Sequence, residues 1–267
     1  NVQEWLADSR IEIDQARWLV LHAAWLLDQG DAAEPRQVRA QVAAIKTTDI
    51  DTLSTATIKA INTEAVYGLN TDQIVNLTSA QIGALNTAQT AEFNTAQAAA
   101  IQTSDISALT TAAARTLSTA AIAALGTDQI AALTTAQVAA LDSNQAGALT
   151  SAQIVALEST DLAALNTAQV AALSSAQATV IETTDNSALT STNVRALSTD
   201  ASSALTTLQI QALTTTQTAA FTTDQFSTLT TAQIAALQST AFAAMNSAQV
   251  STLNSAQLGA IETTDIG

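Results

Sequence analysis

The chain has 267 residues, of which 48% are hydrophobic and only 3% aromatic, with no cysteine and a formal net charge of −15. That balance excludes disulfides, thiolate metal sites and cysteine nucleophiles. It also argues against nucleic acid or an anionic membrane surface as a partner, because phosphate binding needs clustered Lys and Arg. No run of 18 apolar residues occurs, so no membrane-spanning helix is expected.

The chain opens at Asn1 with neither a Met nor a basic, apolar leader, which suggests a processed product or a fragment and leaves no signal peptide visible. Residues 3–29 are predicted to form a helix, with Trp5, Leu6, Ile11, Trp18, Leu19, Leu21, Trp25 and Leu26 among its apolar positions. Gly30 offers a stop, and Pro35 sits where a second helix can start at about Glu34. That second helix carries Val38, Val42 and Ile45 and is expected to merge into the chain beyond Ile45. All three Trp, the lone His22 and the lone Pro35 fall before residue 45, so composition divides the chain into an N-terminal helical hairpin or cap (1–45) and a repeat array (46–267). His22, between Leu21 and Ala23 on a Trp-rich helix, is expected to be a packed structural residue. A metal site would need further His or Cys ligands, and the chain has none.

The stretch DSRIEIDQARWLVLHAAWLLDQGD, followed by RAQVAAIK, resembles a pair of helices from the C-terminal domain of acyl-CoA dehydrogenases. The resemblance covers about residues 1–46 and implies a borrowed helical hairpin. The family's glycine-rich stretch near the flavin and its catalytic carboxylate region do not follow Lys46, so none of the family's functional residues carries over to this chain.

From Ile45 to Ile261 an octad recurs without insertion or deletion, as in Leu133–Leu141, LTTAQVAA-L. With its positions labelled a to h, position a is Leu, Ile, Phe or Met in all 28 repeats and position c is Thr or Ser in all 28. A continuous helix fails, because eight residues turn through roughly 800° and the apolar stripe would spiral. Strand alternation fits poorly, because the apolar positions f and the next a differ in parity, and their spacing of three suits a helical face. The sequence therefore predicts an all-α solenoid of very short helices, one per octad, with the N-terminal hairpin as cap; the alternative is a β-solenoid.

On the predicted phase, c is the N-cap, d and e form the first turn, and b is the residue after the helix. Of the 16 acidic residues after Lys46, ten lie at d or e, where the helix dipole favours negative charge, and the three basic ones (Lys59, Arg115, Arg195) lie at g. The seven Asn and one Gly at b suit a left-handed turn there, whereas the nine Thr do not. Positions a and f are expected to face inward, h to allow close approach, and g to reach solvent. The recurring Gln at e is either a solvated or cap-supporting amide or a ladder joining adjacent coils. Helices this short are unstable alone, so they are expected to stack cooperatively with two or more octads per coil. Thr90, Asn186, Ser202 and Thr218 replace the apolar f residue and are read as drift in a redundant array.

No phosphate loop, nucleophile elbow or zinc signature is present, and no residue is singled out as catalytic, cofactor-binding or metal-ligating. The regularly spaced Asp residues lack the EF-hand and glycine-rich calcium patterns. Regular Thr rows would suit an ice-binding face only if the hydroxyls pointed outward, whereas capping turns them into helix ends. The array as a whole resembles Thr/Ala/Gln-rich repeat regions (LTTAQIAA-type) of bacterial secreted or surface proteins. The resemblance implies a non-catalytic spacer, filament or adhesin segment outside the cell, with self-association end to end or side by side. The alternative is an accessory or remnant protein related to acyl-CoA dehydrogenase through residues 1–46.

Overall fold

A computed structural model describes residues 34–261. The predicted helix over 3–29, with its tryptophans, Gly30 and His22, lies outside the described residues. The second predicted helix is present as Glu34–Ala43. It does not run into the array: Ala44 and Ile45 form a bend, and a new helix starts at Thr47. Val38, Val42 and Ile45 are all buried.

After that helix come 27 more among the described residues, from Thr47–Ile50 to Ser255–Gly259, each of four to six residues, with no strand between them. The octad Leu165–Ala172 represents them. Its helix spans Thr167–Ala171, and the joint is Leu165 (φ −59°, ψ 135°) followed by Asn166 (φ −83°, ψ 167°). Two extended residues at a and b thus separate short helices starting at c, as an all-α solenoid requires.

The predicted phase is corrected by one residue. The N-cap is b and not c: Asn166 Oδ1 accepts from the N–H groups of Ala168 (3.0 Å) and Gln169 (3.1 Å). Thr, Ser, Asn and Asp at b all cap in this way, in extended backbone. The nine Thr that suited a left-handed turn so badly are therefore at home, because β-branched residues accept extended geometry and cap well. Gly126 is not left-handed either (φ −69°). With c, d and e as N1, N2 and N3, the acidic residues at d and e still occupy the first turn, which is why the charge pattern pointed to helix despite the shift.

Helices pack on their third neighbours, as Ser143–Ala148 does on Thr167–Ala171, so three octads, 24 residues, make one coil. Positions a and f fill the interior of each coil: Ile154, Leu162 and Val170 at f are at most 1% exposed. Small and large residues offset one another there. Phe93 at a is buried in the coil in which Ala98 and Ala114 occupy f. The polar f residues are buried and satisfied locally: Ser202 Oγ donates to the carbonyls of Ser198 and Thr199 (2.9 and 3.0 Å), and Asn186 Nδ2 donates to that of Gln209 (3.2 Å). The chain divides into two compact units between Leu133 and Thr134, inside the array; both are built on the same octad geometry.

Candidate functional site

The most specialised side chain in the fold is the glutamine at e, which occurs in 16 of the 28 repeats. Position e is N3, three residues after the cap, so its amide can fold back on the cap residue. Gln169 is fully buried, and its Oε1 accepts the N–H of Asn166 at 2.7 Å. Its Nε2 donates to the carbonyls of Val138 and Leu141, both at 2.8 Å, 31 and 28 residues earlier in the coil beneath. The amide has two protons, and both are used. Gln73, Gln81, Gln89 and Gln217 repeat this pattern on the f and a carbonyls of their own lower coils. The cap-supporting reading and the ladder reading at e therefore both hold, and the solvated one fails: one side chain completes the capping box and forms the ladder between coils. It is buried, not solvated. The signal was visible as b-x-x-e, Ser/Thr/Asn/Asp followed three residues later by Gln.

Where e is not Gln, the contact between coils changes chemistry. Asp105 and Asp185 are buried and accept hydroxyl protons from Ser79 (2.5 Å) and Ser159 of the coil below. In the octad of Asp105 an amide reaches down from b instead, Gln102 Nε2 to the Val75 carbonyl. A shallow, open groove lies at each of these two octads. One is lined by Val75, Gln102, Thr103, Gly126 and Asp128, the other by Val155, Glu158, Ser159, Glu182 and Asp185. The corresponding residues Val75 and Val155, Gln102 and Glu182, and Asp105 and Asp185 are 80 residues apart. The second groove is acidic, yet no group of three or more His, Cys, Asp or Glu among the described residues is placed to hold a metal ion. Neither groove pairs a hydroxyl with a histidine, because residues 34–261 contain none.

The hydroxyls at c are not capping groups. They stand at N1, mostly exposed, as at Thr87, Thr167 and Thr231. The expectation that these rows are turned into helix ends therefore applies to b and fails for c. Position g faces solvent as expected; Arg195, Val75 and Val155 are exposed there. No helix among the described residues is long and apolar enough to cross a membrane.

Short helices, in-register octads and buried amides bridging successive coils define a helical repeat solenoid. Within that class the chain belongs to the ALTTAQ-repeat family, whose model matches residues 42–79, 98–135, 131–159, 154–184 and 178–215. No curated protein and no solved structure matches the chain. None of the comparisons returns an acyl-CoA dehydrogenase, so the resemblance over residues 1–46 has no support from them.

Proposed function

We propose that the protein is a non-catalytic structural repeat protein, an extracellular spacer, filament or adhesin segment whose product is surface and length. One observation carries this reading: the polar groups best placed for chemistry, the cap side chain at b and the buried Gln at e, are consumed by the fold itself. What is left facing solvent is a repeated surface of Thr, Ser and Ala at c, d and g. An acidic chain with few lysines resists non-specific adhesion to nucleic acid and anionic lipid, which suits a surface-exposed role. Self-association, end to end or side by side, belongs to the same reading, because coils of one repeat type are complementary to one another.

Antibody labelling and protease shaving of intact producing cells test the location. The expected result is labelling and cleavage without permeabilisation. Signal that appears only after lysis would reject the extracellular role.

A further inference from the structure

Nine of the twelve gaps in the glutamine ladder fall in runs, and Asp161, Ala241 and Asp265 stand alone. Position e lacks Gln in three runs of three successive octads: Asp49, Thr57 and Ala65; Asp105, Ala113 and Ala121; Asp185, Asn193 and Ala201. Each run is one full coil long and opens with Ile at a and Asp at e. The three basic residues after Lys46, namely Lys59, Arg115 and Arg195, all stand at g of the second octad of a run. A larger unit is therefore superposed on the octad, and its first coil is built differently.

The third run, residues 181–204, rests on residues 157–180. Asn193 Nδ2 donates to the Leu165 carbonyl at 3.0 Å, the one side-chain amide that crosses this joint among the described residues. The next coil up, residues 205–228, is held by Gln209, Gln217 and Gln225, which make six buried bonds of 2.6–3.0 Å to f and a carbonyls. In the run itself, hydroxyls substitute: Ser159 to Asp185, Ser175 to the Asp200 carbonyl (3.1 Å) and Thr179 to the Ala204 carbonyl (3.3 Å). The last two are exposed, so water competes for them at little cost. Helix Thr199–Ala204 packs closely on Ser175–Thr179, but it brings only Ala201 and Ser202 as buried side chains. Two of the three f residues in this coil are Asn186 and Ser202, so the apolar interior is thinnest where the ladder is missing.

We propose that the joint between residues 157–180 and 181–204 is a built-in release seam, the place where its stack opens first. Coils couple only to their neighbours, so an array of this kind can part at one weak joint while the rest stays folded. A coil released from its neighbour cannot keep helices of four to six residues, and its amides then exchange with solvent. The proposal goes beyond the spacer reading and does not depend on where the protein resides.

Hydrogen–deuterium exchange of the full chain, read by mass spectrometry, tests it. Amides of residues 181–204 are expected to exchange at least about tenfold faster than those of residues 205–228. Equal or slower exchange would overturn the seam. The double variant Asp185→Gln/Asn193→Gln, which leaves the closely packed Ala201 untouched, extends the ladder into the run. It is expected to bring the two segments within about threefold of each other. Unchanged exchange in the folded double variant would overturn the ladder as the cause. If that variant does not fold, the wild-type comparison decides alone.

Discussion

Gln169 satisfies three backbone groups with one side chain, and its removal leaves the buried Leu141 carbonyl and the Asn166 N–H without a partner, while the Val138 carbonyl keeps only the N–H of Leu141 (3.2 Å). Gln169→Leu is therefore expected to cost about 2–4 kcal/mol, although Leu fits the apolar surroundings, because unsatisfied buried polar groups cost more than the lost bonds were worth. Gln169→Glu should cost more still, because an ionised carboxylate presents oxygens to two carbonyls that need donors. Asn166→Ala removes only the cap and should cost about 1 kcal/mol, whereas Asn166→Ser should be nearly neutral. Urea denaturation followed by circular dichroism ranks these four. A Gln169→Leu protein as stable as the wild type would reject the ladder as a stabilising device.

At the scale of one helix, the corrected phase makes a sharp distinction between neighbouring positions. Position c is N1, where proline's missing N–H and fixed φ are tolerated, and b before it is already extended, as a residue preceding proline must be. Thr167→Pro is thus expected to leave the helical signal and the unfolding midpoint almost unchanged. Val170→Pro, at the buried f position, removes the bond from the Val170 N–H to the Asn166 carbonyl (3.0 Å) and should abolish cooperative folding. The inside and outside of the helix were legible in the sequence, because a and f are spaced for one face and the acidic residues mark its start. The phase was not. The invariance of Thr and Ser at c suggested a cap, yet capping requires an oxygen on a short side chain at the extended residue before the first turn, and Ser, Thr, Asn or Asp occupies 21 of the 28 b positions. The double role of Gln was half legible: the capping box can be read from spacing, but its second pair of contacts lies 28 and 31 residues away.

At the scale of the whole molecule, an eight-residue period fixes where helices start and says nothing of the rotation between them. That rotation arises from the extended joint at a and b, which is why three octads per coil could not be derived from the repeat itself. Deleting a whole octad, residues 205–212, keeps every a and f position inward and is expected to preserve a cooperative helical melt. Deleting only residues 205–208 places polar positions where a and f should be, and the upper coils should then melt separately or not fold. The same register explains why the chain tolerates Asn186 and Ser202 in its interior. Each is satisfied within its own or the next coil, so the loss is of apolar burial alone. Composition changes near residue 45, whereas the division between Leu133 and Thr134 falls within uninterrupted octads and has no mark in the sequence.

Three octads per coil is the geometry on which the ladder and the seam both depend, and a cross-link can probe it in a protein that has no cysteine of its own. A Cβ built on Gly147 would lie 3.7 Å from the Cβ of Ala172, 25 residues on in the next coil, a separation that suits a disulfide once the Ala172 carbonyl oxygen, 3.1 Å away, gives by a few tenths of an ångström. The variant Gly147→Cys/Ala172→Cys is expected to close quantitatively under mild oxidation, read as loss of both thiols and a mass decrease of two hydrogens. Gly147→Cys/Ala164→Cys, spaced for a coil of two octads, should stay reduced. Failure of the first pair together with closure of the second would refute the three-octad coil.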